Sequence, residues 1–442
     1  MIGAGLAGLA AATELQELGM RVELFERSRL LGGRATSFEI DGIEVDNGQH
    51  VFLACCNEFV AFARRVGFEQ SLFVQPRFDA LVLARDGTAG RLRAAALPAP
   101  LHLLASFAGY PHLSAGAKLR IARALASALL GRIDGATTFE SWLVLRGQNA
   151  ETRRAFWDPF FIPAFNAPFD AVSIEDAMFT LRTAFLGEAG AARFGFATTP
   201  LAHLAAKAAE RLEAVHRSTG VLAVERTPGG VALRLPEGAR REFDGAVLAV
   251  PPRAVAKLLG DPLRYGVAGL DGYVPYPILD VHLWHDRGSV GFAFAAALDA
   301  PLQWIFEKRP GYLSCSFSAA GDSMSMPTAE LEAFAWNEVR AFVPALRDAN
   351  LVRAAVTRNP EATWLPKPGA ARTAQRTSDP AIAIAGSWTD TGWPDTMESA
   401  IRSARTAAGL IAGNRRRDGI PPVVPSAAPD GRVVEGQAAQ VS

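Results

Sequence analysis

The spacing of apolar residues changes along this chain between the period of a helix and that of a strand. Apolar residues recur at helical spacing from Leu6 to Leu18, and Gly19 follows as a helix-ending residue. Short apolar runs typical of strands buried in a parallel sheet occur at 22–25, 244–250 and 381–385. This order of strands and helices predicts an α/β fold.

Three glycines stand immediately around the start of the first predicted helix. Gly3, Gly5 and Gly8 have the spacing in which the first glycine makes a tight bend, the second admits a pyrophosphate, and the third packs helix on sheet. The helix N-terminus would then face the phosphates. On their own, these glycines are more often a turn that binds nothing.

Two further signals make a dinucleotide site the better interpretation. Glu26 follows the run 22–25, where its carboxylate can accept both ribose hydroxyls and would repel a 2′-phosphate. The tripeptide Gly32-Gly33-Arg34 comes next. Glycines, carboxylate and tripeptide together predict an FAD site.

Only Met1 and Ile2 precede Gly3, whereas the central strand of such a sheet normally has several apolar residues there. We therefore expect that the stated start lies downstream of the true one. Equal flavin content and equal melting temperature in a version extended upstream would refute that expectation.

The elements predict a Rossmann-like FAD-binding domain assembled from discontinuous segments, 1–75, 197–262 and 354–413, with an inserted α+β substrate domain, 76–196 and 263–353. Residues 414–442, rich in Pro, Gly and Ala, predict a disordered tail. Helices are predicted at 118–130, 139–145, 198–214, 328–342 and 396–411.

Composition excludes several classes of function. The chain has 442 residues and a formal net charge of zero, so we expect no nucleic-acid partner. Its 3 cysteines are too few for a disulfide framework and form no metal-binding pattern with histidine, which predicts a cytoplasmic protein without a structural metal. No signal peptide and no uninterrupted apolar run long enough to span a bilayer is visible.

The segment 94–117 carries no Asp, Glu, Lys or Arg, but several prolines interrupt it. Arg91 and Arg93 precede it, and Lys118 and Arg120 follow. An apolar segment between basic residues can lie in the headgroup region of a membrane, which predicts a peripheral protein on the inner face of the cytoplasmic membrane. A buried loop and helix of the substrate domain is an equally good interpretation.

Beyond the nucleotide signals, several motifs resemble the FAD-dependent amine oxidase and phytoene desaturase superfamily, and within it the hydroxysqualene dehydroxylases. The most specific motif runs from Trp388 to Glu398 and begins Trp-Thr-Asp-Thr-Gly-Trp-Pro. The other motifs are Asp46-Asn47-Gly48-Gln49-His50, Phe156-Trp157-Asp158-Pro159 with Asn166, Val281-His282-Leu283-Trp284 with Asp286, Gln303-Trp304-Ile305-Phe306, and Ala362-Thr363.

The resemblance implies a role for each matching residue. The residues that would contact the pyrophosphate, ribose, adenine and phosphates are Gly3, Gly5, Gly8, Glu26, Gly33, Arg34 and Val221. Those that would lie along the isoalloxazine or close its other side are Gly48, Gln49, His50, Gly386, Trp388, Thr396 and Met397. Ser387 stands where these proteins usually carry an aspartate for the ribityl chain.

The resemblance implies reductive removal of the allylic hydroxyl of hydroxysqualene, which gives squalene for hopanoid synthesis. An acid must protonate the leaving oxygen, and reduced flavin then delivers hydride. Candidate acids are His50, Asp390 and Asp395, each of which could instead only order a loop. The implied partners are a long-chain isoprenoid, a membrane surface, and an electron donor that the sequence does not identify.

Two other functions remain open at this point. A carotenoid or phytoene-type desaturase would use the same fold with oxidised FAD as hydride acceptor. A non-catalytic isoprenoid-binding protein could use the same scaffold, although it would have no need of Glu26, Arg34 and the 388–398 motif. Phe160, Phe161, Phe165 and Phe169 could line a tunnel or form core, and the pattern does not separate these.

Overall fold

The computed structural model describes residues 1–188 and 190–417. A parallel sheet, here called the nucleotide sheet, combines separate parts of the chain. Its order is Ala214–His216, Glu23–Phe25, Ile2, Ala246–Leu248 and Ile382–Ile384. Ile2 bridges both Phe25 and Leu248, so it occupies the middle of the sheet. The predicted α/β fold is confirmed.

Both faces of the nucleotide sheet are covered, as its continuous apolar strands require. The helices on one face are Leu6–Glu17, Ala202–Ala209 and Met397–Arg417. The elements on the other face are the antiparallel strands Ala223–Thr227, Gly230–Arg234 and Arg240–Phe243 and the helix Pro252–Leu259. Gly19, with φ +79°, follows the first helix as predicted.

A second, mostly antiparallel sheet of seven strands is here called the substrate sheet. Its order is Leu351–Pro366, Tyr273–His285, Tyr312–Ser318, Trp304–Arg309, Phe294–Ala297, Asp79–Leu83 and Ala89–Arg93. Along the strand Tyr273–His285, Leu279, Val281 and Leu283 pack against the helix Thr328–Phe342. Because side chains alternate in a strand, Asp280 and His282 lie on the opposite face.

The opposite face of the substrate sheet meets the nucleotide-binding part of the chain. Trp284 and Tyr312 stack with a centroid distance of 4.6 Å and pack on Val45, which belongs to the hairpin Ser37–Ile40 and Ile43–Asp46. The polar side chains on this face are therefore enclosed between the sheet and the segment that follows the hairpin.

The strand Leu351–Pro366, at the edge of the substrate sheet, contains a bulge. Tyr276 pairs with Thr363 and Ile278 with Asn359, so residues 360–362 stand opposite a single residue. Asn166 braces this place, because its side-chain amide donates to the Tyr276 carbonyl and the Thr363 hydroxyl. The predicted return to the FAD-binding domain at residue 354 falls inside this strand, which continues to Pro366.

Helices form a separate layer beside the substrate sheet and share an aromatic core. They are Leu104–Ala108, Ala115–Leu129, Phe139–Leu145, Ala150–Thr152, Asp158–Phe165 and Ile174–Thr180. Phe160, Phe161, Phe165 and Phe169 are all buried in this core. A small sheet of Val51–Leu53, Phe194–Ala197 and Leu72–Val74 and the helix Asn57–Arg65 connect this layer to the nucleotide sheet.

Most predicted helices are present with shifted ends. The helices predicted at 139–145 and 328–342 have those bounds, and the one at 118–130 is Ala115–Leu129. The one predicted at 198–214 is only Ala202–Ala209, because the strand Ala214–His216 follows. The closing helix extends to Arg417, and the rest of the predicted tail lies outside the described residues. Within the described ranges, no helix is long and apolar enough to cross a membrane.

Two helical glycines provide a matched test of the packing between the first helix and its loop. A Cβ on Gly8 would lie 1.9 Å from the Gly3 carbonyl oxygen, whereas a Cβ on Gly409 would meet nothing within 4 Å. We expect Gly8→Ala to destabilise the protein by about 3 kcal/mol or more. Gly409→Ala should be neutral or stabilise by up to about 1 kcal/mol. Urea denaturation measures both, and equal stability of the two variants would contradict this packing.

Candidate cofactor and active site

The two glycine loops touch each other at the start of the first helix. Gly32 N–H donates to the Ala4 carbonyl at 2.8 Å, and a Cβ on Gly33 would lie 3.0 Å from the Gly5 Cα. A Cβ on Gly3, with φ +94°, would lie 2.4 Å from the Ala249 carbonyl oxygen. Larger residues would therefore separate the loops that are predicted to surround the pyrophosphate.

Glu26 lies just beyond the strand Glu23–Phe25 and faces the first loop. Its carboxylate accepts hydrogen bonds from the Ala4 N–H at 2.7 Å and from the Ser28 N–H at 2.8 Å. The Thr219 N–H donates to the Glu26 carbonyl at 2.8 Å, which brings Val221 into the same region. The predicted ribose and adenine contacts are thus neighbours.

Arg34 connects the N-terminal loop to two segments near the end of the chain. Its guanidinium makes a two-pronged ion pair with Asp395, at 2.8 Å and 3.0 Å, and donates to the Ala362 carbonyl at 2.9 Å. Ala362 lies in the bulge of the substrate sheet. Arg34 also donates to the Ser387 hydroxyl. Ser387 therefore completes this network without a charge of its own.

The ion pair determines the protonation state of Asp395. Burial acts to raise its pKa, but Arg34, the Ser387 hydroxyl and the Trp364 N–H together lower the pKa of Asp395 below its usual range. A carboxylate held in its charged form is a poor proton donor. The geometry therefore disfavours the prediction of Asp395 as catalytic acid and gives it a role in positioning Arg34.

His50 lies in the segment after the hairpin, as the motif predicts. One ring nitrogen, Nε2, lies 2.9 Å from the Asn47 Oδ1, and the Asn47 amide donates to the Arg34 carbonyl. Burial lowers the pKa of His50, and the positive charges of Lys308 and Arg34 lower it further against the effect of Asp46. His50 is therefore neutral at neutral pH.

Gly48 and Gln49 lie against a buried carboxyl, that of Asp280, which the sequence motifs do not predict as a site residue. The Gln49 N–H donates to Asp280 Oδ1 at 3.1 Å, and the Gln49 side-chain carbonyl accepts from Lys308 Nζ at 3.2 Å. Lys308 also ion-pairs with Asp46 at 3.4 Å. The signal for Asp280 was present in the sequence: an acidic residue at an inward position of an apolar strand.

The C-terminal motif divides into core and helix-capping residues. Trp388 is buried, donates to the Val250 carbonyl at 3.1 Å, and makes an edge contact with Tyr273. A Cβ on Gly386, with φ +155°, would lie 2.4 Å from the Trp388 ring nitrogen. Trp388 therefore has a packing role, which the sequence did not separate from a role beside the flavin.

Thr396 immediately precedes the closing helix. Its hydroxyl accepts from the Ser399 N–H at 3.3 Å and caps the helix, whose first residue, Met397, is half-buried. Asp390 lies apart from these residues. Its side chain is exposed, and its backbone is hydrogen-bonded to Thr373 and Gln375.

Glu398 has a structural function that the motif did not reveal. Its buried carboxylate accepts from the backbone N–H groups of Glu58 and Phe59 and pairs with Arg402. It thereby caps the helix Asn57–Arg65, which no side chain of its own caps. The closing helix and the helix Asn57–Arg65 are fixed together through this one carboxylate.

The residues present fit FAD. The first helix begins at Leu6, and its N-cap residue, Gly5, provides no side-chain cap; its first turn has no acidic residue. Its N-terminal N–H groups are thus available to an anion. The glycines of the two loops have no side chains, so a ligand can approach the backbone around these N–H groups. Elsewhere in the described chain, no cluster of His, Cys, Asp or Glu could hold a metal ion.

These features define an FAD-dependent oxidoreductase. The chain belongs to the family described as flavin containing amine oxidoreductase, whose sequence model matches residues 6–412. Its fold is similar to a putrescine oxidase bound to putrescine, with TM-score 0.71, 17% identity, and 93% of this chain and 98% of that chain covered. It is also similar to the cyclohexylamine oxidase of Brevibacterium oxydans, with TM-score 0.69, 18% identity, and 94% and 98% covered.

Three curated relatives are similar in sequence over most of the chain. The hydroxysqualene dehydroxylase of Zymomonas mobilis is 28% identical, over 93% of this chain and 98% of the relative. That of Rhodopseudomonas palustris is also 28% identical, over 93% and 97%. The zeta-carotene desaturase of Zea mays is 25% identical, over 93% and 83%.

The ion pair of Arg34 and Asp395 predicts a pH-dependent loss of stability in Asp395→Asn. Because Arg34 is about one-third exposed, water offsets part of the loss, and we expect about 2 kcal/mol at pH 7. A carboxyl whose pKa is lowered by folding stabilises the folded state at pH values above its pKa in the unfolded chain, which is about 3.9. It loses that effect as the pH falls through its pKa in the folded protein.

The difference between wild type and Asp395→Asn should therefore be constant above about pH 5 and shrink below about pH 4. Denaturation at several pH values measures it. Glu69→Gln, which removes an exposed ion pair with Arg64, is the control and should leave stability unchanged. Wild-type stability in Asp395→Asn at pH 7 would contradict the assigned role.

Proposed function

We propose that the protein removes the allylic hydroxyl of hydroxysqualene reductively and so forms squalene for hopanoid synthesis. The observation that carries this proposal is the near end-to-end similarity to dehydroxylases. Three such relatives, at 28%, 28% and 26% identity, each align with 93% of this chain and with 97–98% of their own length. The motifs around Asp46 and Trp388 support the same assignment.

The reaction sets the requirements that the chain has to meet. The C–O bond breaks as an acid protonates the oxygen, which leaves as water, and a hydride goes to the carbon. Bound FAD in its reduced form supplies that hydride. The chain has to orient the allylic end, exclude water, and hold one proton near the leaving oxygen.

The three predicted acids differ in how well their surroundings suit this role. His50 is favoured by its place in the segment predicted to lie along the isoalloxazine, although its lowered pKa leaves it neutral at pH 7. Asp395 is disfavoured by its ion pair with Arg34. The exposed position of Asp390 provides no exclusion of water.

A desaturase is the second candidate, and a specific observation favours it. Zeta-carotene desaturases of Zea mays and Capsicum annuum align with 93% of this chain at 25% and 24% identity. The two reactions need the same fold and an apolar path for an isoprenoid, but hydride moves in opposite directions. Retention of the flavin-binding residues argues against a non-catalytic carrier.

Product analysis distinguishes the two reactions. With hydroxysqualene and chemically reduced FAD under anaerobic conditions, we expect the purified protein to form squalene. With phytoene and an oxidant, we expect no desaturated product. Heat-denatured protein with the same reduced FAD is the control for uncatalysed reaction. Desaturation without any squalene formation would overturn the proposal in favour of the second candidate.

We also propose that the enzyme collects its substrate at a membrane surface. Burying a methylene from water gains about 0.8 kcal/mol, but most of that gain is absent when the substrate starts in a bilayer. Leu97, Leu101 and Leu104 are 48%, 50% and 58% exposed, whereas His102 points inward and is buried. The segment 94–117 therefore combines a buried side with a row of outward leucines.

The segment is anchored to a charged edge of the substrate sheet. The Ser106 hydroxyl hydrogen-bonds both the N–H and the carbonyl of Arg93. Arg91 and Arg93 share one carboxylate, Asp79, so the edge keeps an excess positive charge. Leucines beside basic residues are suited to an anionic lipid surface.

Charging the outward leucines tests this proposal. We expect the double variant Leu101→Asp, Leu104→Asp to lose binding to anionic vesicles in a sedimentation assay and to convert vesicle-bound hydroxysqualene several-fold more slowly. Leu263→Asp changes a leucine that is 72% exposed elsewhere in the chain and should bind like wild type. Unchanged sedimentation of the double variant would end the proposal.

A further inference from the structure

A buried carboxyl lies directly behind the residues predicted to line the isoalloxazine. Asp280 is fully buried, and its Oδ1 accepts from the Gln49 N–H at 3.1 Å. Its Oδ2 has no hydrogen-bond partner among the described residues. A Cβ on Gly48 would lie 3.1 Å from that oxygen, so the carboxyl is in close contact with the glycine.

The unpaired oxygen belongs to a group of unpaired polar atoms on one face of the substrate sheet. In the two strand pairs, Asp280 stands opposite Thr357 and Ser316, and His282 stands opposite Ser314. The Thr357 hydroxyl, the Ser314 hydroxyl and the His282 Nε2 are also buried without a partner in the part of the chain that the structure describes. Side chains opposite each other share a face, so these atoms are neighbours.

Asp280 is poised to change its charge near neutral pH. Burial raises its pKa to about 7, while the Gln49 N–H, the Ser316 hydroxyl and the Lys308 charge act to lower it and Asp46 acts to raise it. The titratable groups around it are Asp46, His50, His282, Lys308 and Tyr312 on the same side of the sheet and Cys315 on the other side. Burial holds His282 neutral, with a pKa of about 4, and also raises the pKa of the Cys315 thiol.

We propose that Asp280 is a positioning residue that takes up a proton when negative charge develops on the bound flavin and releases it when that charge is withdrawn. It acts across the backbone of Gly48 and Gln49, without touching substrate. The inference rests on the placement of the isoalloxazine along residues 48–50, which the family resemblance implies. It does not depend on hydroxysqualene being the substrate.

The proton and electron balance is simple. If a two-electron donor reduced the bound flavin and one proton went to the ring, the ring would carry one negative charge. That charge raises the affinity of the nearby carboxyl for a proton, so Asp280 takes a second proton from solvent. Hydride transfer out of the ring would remove the charge, and Asp280 would return its proton to solvent, so its charge at the start of the next turnover is unchanged.

The pH dependence of the flavin reduction potential tests this coupling without any isoprenoid. FAD-loaded wild type, Asp280→Asn and Asp286→Asn are titrated with dithionite beside a reference dye, at pH values on both sides of 7. Well below pH 7, we expect Asp280 to be protonated in both redox states, because its pKa is about 7. Above pH 7, we expect reduction of the wild type to take up one more proton per two electrons. Its reduction potential should therefore fall more steeply with pH there.

Asp280→Asn should lose this steeper part of the curve. Asp286→Asn should keep it, because Asp286 follows the same strand but is exposed and bonded to Asn350. Parallel curves for wild type and Asp280→Asn would overturn the inference. If Asp280→Asn fails to bind FAD, the wild-type infrared difference spectrum between reduced and oxidised states decides, since reduction above pH 7 must add a protonated-carboxyl band, and its absence overturns the inference.

These outcomes are separate from those of the proposed function. A protein that shows the steeper potential curve but forms no squalene would support the role of Asp280 and refute the dehydroxylase assignment. A protein that forms squalene with parallel potential curves would do the reverse.

Discussion

The structure depends on one ion pair that connects two segments far apart in the sequence. Arg34 and Asp395 are 361 positions apart, yet their two-pronged contact fixes the second glycine loop to the segment before the closing helix. The Ala362 carbonyl and the Ser387 hydroxyl accept further hydrogen bonds from the same guanidinium. Because Asp395 is buried, its charge is stable only with Arg34 beside it, so the loop, the bulge and the closing helix have to come together as a unit.

Burial and ion pairing determine which titratable groups near the predicted flavin position are charged. Asp395 is held as a carboxylate by Arg34, His50 is held neutral, and Asp280 has a pKa of about 7. Pairs of groups whose surroundings push their pKa values apart are typical of sites that move protons. The polar face of the substrate sheet contacts the segment 48–50, which is predicted to lie along the isoalloxazine.

Much of the nucleotide-binding half could be predicted from the sequence, because its signals are local. Gly3 and Gly8 are required by backbone contacts with each other or with Ala249, and the helix after them is buried along most of its length. The FAD assignment rests on such contacts and agrees with the family match.

The remaining features depend on contacts between distant segments, which a sequence pattern does not contain. Asn359 and Pro360 suggest a break, but the strand Leu351–Pro366 continues through them because a bulge accommodates the irregularity. The burial of Asp280 and the capping role of Glu398 follow from packing against Gly48 and against the helix Asn57–Arg65. Trp388 could not be assigned to core or cofactor until its contact with Val250 was known.

The placement of the cofactor is the central claim, and a crystal structure of the chain with FAD tests it most directly. We expect the pyrophosphate at the start of the helix Leu6–Glu17. We expect the isoalloxazine between residues 48–50 and the start of the closing helix at Met397. A ring bound away from Gly48, with Asp280 and Arg34 both remote from it, would contradict the account.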